Sequence, residues 1–576
     1  MTTTYGSLRP PVMGTQHVIS SGHYLAASAG YRLLEAGGNA VDAGVASGLV
    51  INVVLPENTN FGGVAPIMIY LARPRLLLTI SGLGRWPAGI DVDYFRKECG
   101  GDLPDDIRRA VVPSAPDAWM CALQNHGTLT LEEVLTPALE LARDGYPLSE
   151  VVRNEMLFDF DVRRPFPENA KIFMPNGRVP AVGELVIQTA LSDTFQYMID
   201  VERENASKGR AAAIAAVRDA FYRGDIAREM SRYSELEGGF LRFEDFRRFS
   251  VKEEPAVIGE FHDYRIAACG PWCQGPVVPQ TLQTLAYDDL HELGHNSTEY
   301  IHLLAEVLNL SFSDRDYYYG DPEFVDVPMN ALLSAEYTRM RRTQVDPGKA
   351  FSEMPPPGLL NSGERWPGPC GAAESGTRRF ETDTSYTCVI DKWGNAFSAT
   401  PSDSNTRAPI IPSLGFSLSS RGTQSWLHPD HASCLAPGKR PRLTPNPAIA
   451  FHRGELFMPF GCPGGDAQCQ AMVQTFLNIV VFGMNVQKAI EQPRFASLNF
   501  PNSFWPHEYL PARLQLEARI DSGVVDGLQK LGHDVEMKHS WEPMDMGVMS
   551  AITINHKTGV RMGGGDPRRD AYAIGR

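Results

Sequence analysis

The chain has no long uninterrupted hydrophobic run: across 576 residues no apolar stretch reaches the ~20 residues needed to span a bilayer without meeting Gly, Pro or charge. Nor does it open on a basic segment followed by an apolar one. Its start, Met1-Thr-Thr-Thr-Tyr-Gly-Ser-Leu-Arg-Pro-Pro11, carries no secretory pattern, so the expectation is a cytoplasmic protein without a membrane partner. Positive charge is also short, with 53 Lys and Arg against 68 Asp and Glu and a net charge of −15. That balance excludes nucleic acid as a partner, which requires a basic face to displace counterions. Cysteine is sparse and odd in number: nine thiols with no repeating spacing suit reduced side chains rather than a disulfide framework. Cys269 and Cys273 have no second pair at a zinc-like distance, and neither a metal nor a cofactor is expected.

What the chain does have is the composition of a folded globular protein, 43% hydrophobic and 21% charged. Its length admits one large multilayer domain or several smaller ones. His23 to Ala36 has helical spacing and stops at Gly37-Gly38; Asn39 then caps a second helix, Ala40 to Val54, apolar on every face and therefore predicted to be buried. A glycine-bearing loop, Leu55 to Gly63, leads into strands at Ala65 to Leu71 and Leu76 to Ser81. Helices are predicted at Val112 to Leu123 and Leu131 to Asp144, followed by a charged, mostly helical stretch from Glu150 to Ser250. The acidic run Ser313 to Pro322 lacks calcium-loop spacing and reads as a solvated helix end. Residues 428 to 431, His-Pro-Asp-His, have no third ligand and read as a polar turn.

Two later stretches carry chemistry. Leu456 to Phe460 reads as a strand entering Gly461-Cys-Pro-Gly-Gly465, and Asp466 opens a helix reaching Val481. A strand, a glycine turn and a helix N-terminus point free N–H groups outward, which suits an anion or an oxyanion; no phosphate-loop motif is present. The other stretch, Glu381 to Thr400, is a hairpin whose first strand opens near Thr384 and whose turn is Gly394-Asn395. Residues 354–383 upstream are rich in Pro, Gly and charge, a composition that cannot pack and reads as loose. Either this is a surface loop entering an ordinary hairpin, or the bond between Asp383 and Thr384 is a cleavage site. Cleavage would give Thr384 a free α-amine, pKa about 8, able to deprotonate its own hydroxyl.

Gly37-Gly-Asn-Ala-Val-Asp-Ala43, Asn60-Phe-Gly-Gly63, the Thr384 hairpin, Lys439-Arg-Pro441, Pro463-Gly-Gly465 and Pro493-Arg-Phe495 occur in the order found in the γ-glutamyltransferase family, which the chain resembles over nearly its full length. The resemblance implies an α+β fold, the four-layer αββα sandwich of N-terminal-nucleophile hydrolases. It also implies a precursor that cuts itself into a large piece, 1–383, and a small one, 384–576, which stay together as a heterodimer with scope for further dimerisation. It places the nucleophile on Thr384, a supporting hydroxyl on Ser402 and the oxyanion hole on Gly464 and Gly465, with Thr382 and Thr387 as weaker register competitors.

The chain departs from the family where a glutamyl group would be gripped. The carboxylate-binding arginine position holds Leu83, with Arg85 two residues on. The amine-binding region reads Ser419-Ser-Arg-Gly-Thr-Gln424, the serine pair is Leu443-Thr444, and the hairpin asparagine is Ser404, beside Asn405. Residues 425–438 are shorter than the family's lid. With Arg421-Gly422 and Asn446-Pro-Ala448, this pattern is similar to the branch that includes oxamate amidohydrolase and cephalosporin-acylase-like proteins. Arg85, Ser404, Asn405, Arg421 and Thr444 are therefore the substrate-binding candidates, with Arg407 a further cation for a carboxylate.

Taken together, the expected function is an amide hydrolase acting on a small-molecule amide through an acyl-enzyme on Thr384. A true γ-glutamyltransferase or glutathione hydrolase is the alternative, and a non-catalytic binding protein on the same scaffold is a third. The purified protein is expected to migrate as two pieces, the smaller beginning Thr-Ser-Tyr-Thr-Cys-Val. Thr384→Ala should stay one inactive piece, and Thr384→Ser should cleave partially. Electrophoresis with N-terminal sequencing reads this out; a wild type that remains a single chain yet hydrolyses amides removes Thr384 from the mechanism.

Overall fold

A computed structural model describes residues 6–162, 165–358, 366, 368–371, 373, 374, 383–541 and 546–576. Two seven-stranded sheets form the centre. The first runs in the order Tyr572–Gly575, Val18–Ser21, Thr387–Ile390, Ala396–Ala399, Ile67–Leu71, Leu76–Ile80, Glu253–Glu254. In the second, the order is Val12–Gly14, Val560–Gly565, Ser550–Asn555, Glu455–Gly461, Ala448–His452, Tyr264–Ala268, Val257–Phe261.

Side chains alternate across each strand, and that alternation builds three cores. Ile67, Ile69, Val389 and Phe397 face a helical layer containing Tyr24–Glu35 and Ala40–Val54. Their neighbours Met68, Tyr70, Cys388 and Ile390 turn the other way and meet Ala267, Ile449 and Ile552 of the second sheet. The far face of that sheet, including Ile266, Ala450 and Phe460, packs on helices Val277–Leu285, Thr298–Tyr318 and Ala467–Val480. The result is helix, sheet, sheet, helix, as the resemblance implied. Both sheets mix strands from before and after Thr384.

The helix Ala40–Val54 is buried along its whole length. Its start is fixed by a reciprocal cap, in which Asn39 Oδ1 accepts from Val41 and Asp42 N–H at 2.8 and 3.1 Å while Asp42 Oδ2 accepts from Asn39 N–H at 2.8 Å. Such a cap is worth about 1 kcal/mol. The hairpin turn docks on the same helix end, because Asp391 Oδ2 accepts the Ala40 N–H at 2.9 Å.

Three expectations change, and a fourth gains a buried ring. The helix expected from Val112 runs Ala115–His126, with a proline in its first turn setting the start. Ser313 to Pro322 is not solvated: Asp314, Arg315 and Asp316 are buried, with Asp314 accepting from Gln280 at 2.6 Å and from Gly358 N–H at 2.9 Å. Residues 428–431 do form a polar turn, with the His431 N–H on the His428 carbonyl at 3.1 Å, but the His431 ring is buried, stacked on Trp426 at 4.1 Å and 3.6 Å from Asp316. The start of the supposedly loose segment is tied down, with Met354 N–H on the Tyr509 hydroxyl at 2.6 Å and the Pro355 carbonyl on Ser313 at 2.6 Å. Ala373–Glu374 pairs with Glu508–Tyr509, and residues 359–365, 367, 372 and 375–382 lie outside the described residues, Thr382 among them.

A β-carbon on Gly48 would sit 2.4 Å from the Trp119 ring, which is itself anchored by its indole N–H on Asn52 at 3.1 Å. Gly48→Ala is therefore expected to cost about 1–3 kcal/mol through overpacking. The readout is the denaturant midpoint, and an unchanged midpoint would mean that helix and indole part freely.

Candidate active site

Thr384 is placed by the sheet. It forms an isolated antiparallel bridge with Ser402, which bridges in turn to Val64, so the hairpin strands continue past their regular ends. Both residues are buried. The Thr384 hydroxyl lies against the Asp383 carbonyl oxygen and 2.8 Å from Ser402 Oγ, and Ser402 Oγ donates to the same carbonyl oxygen. A third donor arrives from Arg421, whose Nη2 lies 3.1 Å from that oxygen and 2.6 Å from Ser402 Oγ. Thr387, the register competitor, is spent inside the strand on Ser47 Oγ at 2.9 Å.

Arg421 and Asp383 also pair through their side chains. Nη2 meets Asp383 Oδ1 at 2.7 Å, and the Ser404 N–H meets Oδ2 at 3.2 Å. Both charges are buried, and the Arg421 guanidinium lies over the Phe504 ring at 5.4 Å. Asp403 faces the pair. Burial pushes its carboxyl up and Arg421 draws it back down; Ser419 Oγ, Ser420 Oγ and Ser420 N–H hold it at 2.6, 2.6 and 2.9 Å.

The glycine loop has the form its sequence suggests. Gly464 and Gly465 have φ of 125° and 55°, left-handed values that glycine adopts without strain, and they end at the N-terminus of Ala467–Val480. Among the described residues neither glycine N–H donates a hydrogen bond. The loop is held from behind: Gln274 Nε2 donates to the Thr444 and Gly465 carbonyls at 2.9 and 2.8 Å, and Arg315 grips Asp466, which also accepts from Ser503. Pro463 and Thr384 line one narrow cavity of about 20 Å³, room for a water molecule.

Glu57, Asn58, Glu155 and Arg569 line the same cavity. Arg569 meets Glu155 at 2.7 Å, and Asn58 donates to Glu57 and Glu155 at 2.6 and 2.9 Å. Burial and the neighbouring Glu155 push the Glu57 carboxyl well above the usual range. Neither this group nor Gln274 was found by sequence reasoning. The one available signal was a glutamine in a Gly-Pro-rich turn.

The remaining candidates divide. Thr444 Oγ1 accepts from Gln424 at 2.9 Å, joining the loop of Arg421 to that of Gly465. Arg85 must be corrected: it pairs with Glu323 at 2.7 Å, donates to the Gly438 carbonyl at 2.9 Å and lines a separate cleft with Trp86 and Arg242. Asn405 is likewise committed elsewhere, its side-chain oxygen accepting from Ser417 N–H and Oγ at 3.0 and 2.9 Å. Arg407 is bound to Asp159 at 2.8 Å. Leu83 and Leu443, which the resemblance sets at arginine and serine positions, pack together with Val64 and Trp272 in an apolar cluster.

Among the described residues, His302, Glu306 and His533 bring metal-ligand atoms within 4.8 Å of one another. Hydrogen bonds already satisfy them, His302 contacting His533 at 2.9 Å and the Asp346 carbonyl at 2.8 Å, and Glu306 accepting from Phe351 N–H at 2.6 Å. Burial moves Glu306 up to about 7 and His533 down to about 4.

Ser402 touches both the hydroxyl of Thr384 and the Asp383 carbonyl. Ser402→Ala should slow self-cleavage by about 100-fold, in line with loss of one oxyanion donor, and Ser402→Thr should recover part of it. A time course of precursor disappearance measures this, and an undiminished rate in the alanine variant would relieve Ser402 of any role.

The gamma-glutamyltranspeptidase family model matches residues 26–576. YwrD of Bacillus subtilis (strain 168), described as a glutathione hydrolase-like proenzyme, is 30% identical over 566 residues, covering 98% of this chain and 99% of its own. Among solved structures, LmbA2991HD superposes with a TM-score of 0.91 at 33% identity, covering 99% of this chain and 100% of its own. The cephalosporin acylase of Bacillus halodurans superposes with a TM-score of 0.84 at 25% identity, covering 100% and 98%. With this agreement over the whole chain, and a threonine at the head of the central hairpin strand, the protein belongs to the gamma-glutamyltranspeptidase family.

Proposed function

We propose that the protein is a self-cleaving amide hydrolase in which Thr384 is the nucleophile of both the cleavage and the catalytic reaction. One observation carries the reading: the Thr384 hydroxyl lies against the Asp383 carbonyl while Ser402 and Arg421 donate to that same carbonyl oxygen. Among the described residues no backbone N–H donates to this oxygen, and the side chains that do stand where negative charge develops as the carbonyl is attacked.

In the precursor, Thr384 Oγ attacks the Asp383 carbonyl carbon and the Asp383–Thr384 C–N bond breaks, leaving an ester that water hydrolyses. The new Thr384 amine then serves as the base. It takes the hydroxyl proton as Oγ attacks a substrate amide, passes it to the departing amine, and finally deprotonates the water that releases the acid. Gly464 and Gly465 supply N–H groups for the oxyanion, Ser402 supports the hydroxyl, and Ser404, Arg421 and Thr444 surround the acyl group. The pieces 1–383 and 384–576 remain together because each sheet draws strands from both. Nine free thiols support a reducing, cytoplasmic setting.

A glutathione hydrolase is the second reading, favoured by the description of the Bacillus subtilis relative. Against it stands the apolar packing of Leu83 and Leu443 where a glutamyl group would need charge and hydroxyls. Leaving a buried charge without its partner costs about 3–5 kcal/mol. Glutathione and γ-glutamyl anilides should therefore be cleaved about 100-fold or more slowly than the best substrate of an amide panel. Glutamate release matching that substrate would transfer the assignment to the second reading.

A further inference from the structure

Asp383 has a second identity: it is the acyl half of the first amide this site cuts. Its carbonyl stands at Thr384, and its side-chain carboxylate is held by Arg421 Nη2 at 2.7 Å and the Ser404 N–H at 3.2 Å. Carbonyl carbon, Cα, Cβ and carboxylate carbon form a four-carbon diacid chain. No substrate carbonyl can reach Thr384 while the Asp383 carbonyl occupies that place, so turnover requires Asp383 to withdraw, carboxylate included. What then stands beside Thr384 is a buried guanidinium and an inward N–H, spaced for a carboxylate two carbons beyond a scissile carbonyl. A guanidinium buried over an aromatic ring favours an anion beside it, and the structure shows where one carboxylate sits.

Alternatives for that anion are few. Among the described residues Asp403 also faces the pair, with its oxygens on Ser419 and Ser420. Arg85 and Arg407 are bound to Glu323 and Asp159. Resting on the reading of Thr384 as nucleophile, we infer that Asp383 marks the acyl subsite, and that the mature enzyme acts on monoamides of four-carbon dicarboxylic acids, succinyl or aspartyl in type, with the free carboxylate on Arg421 and the Ser404 N–H. The reaction balances as amide plus water giving diacid plus amine. The amide C–N bond breaks, Thr384 Oγ holds the acyl group as an ester, and water adds its oxygen to the acyl carbon as its protons pass through the Thr384 amine.

The product is then a diacid, and its binding tests the inference independently of any leaving group. Oxalate, malonate, succinate, glutarate and butyrate are titrated calorimetrically into self-cleaved wild type. Succinate should bind at least tenfold more tightly than glutarate and butyrate, and 4-nitrosuccinanilic acid should be hydrolysed at least tenfold faster than butyryl-4-nitroanilide. Arg421→Gln should lose the preference of succinate over butyrate; if that variant fails to cleave or fold, the wild-type series decides alone. Equal binding of succinate and butyrate, or tightest binding of oxalate, overturns the inference while self-cleavage at Thr384 stands. A wild type that never cleaves takes down the underlying function as well, a result visible on the gel before any ligand is added.

Discussion

One carbonyl oxygen governs the site. On the Asp383 oxygen converge the hydroxyls of Thr384 and Ser402 and a nitrogen of Arg421, all of them buried. Burying a guanidinium and a carboxylate costs several kcal/mol per ion, offset only by close pairing and complete hydrogen bonding. The same low dielectric that makes the burial expensive makes each donor more effective on a developing negative charge. Stability and reactivity therefore draw on the same atoms.

The four layers explain how such a knot is held in place. Thr384 sits where the hairpin strand leaves regular pairing, its height fixed by the bridge to Ser402 and its neighbour Ser385 by the Pro401 carbonyl at 2.9 Å. The glycine loop approaches from the second sheet, stiffened by Gln274 and by the buried pair of Arg315 and Asp466. The two sheets thus bring Thr384 and Pro463, the residue before the glycine pair, to the same cavity. Since strands before and after Thr384 interleave in both sheets, a cut there breaks one covalent bond without separating a layer.

Where the family resemblance would place an arginine and serines, Leu83 and Leu443 close an apolar cluster around Trp272, a region no longer suited to a charged ligand. Buried charge is found beside Thr384, at Arg421, Asp383 and Asp403. The chain is similar over its whole length to a cephalosporin acylase and a glutathione hydrolase-like protein, and one fold can host several chemistries through the side chains placed on it.

Much of this was legible in the residues themselves. Ala40–Val54 is apolar on all sides and could only be buried, Gly394-Asn395 marked the hairpin, and Gly464-Gly465 before a helix marked a loop with outward N–H groups, because each is a local rule of backbone and periodicity. Long-range pairing was not legible. Asp314, Arg315 and Asp316 look like a solvated helix end in sequence, yet Arg315 is buried against Asp466, 151 residues away. Arg85, Arg407 and Arg421 are equivalent candidates until tertiary structure gives the first to Glu323, the second to Asp159 and the third to Asp383. A charged side chain carries no record of its partner in its neighbours; only the fold, by deciding which charges are buried together, determines which of them pair.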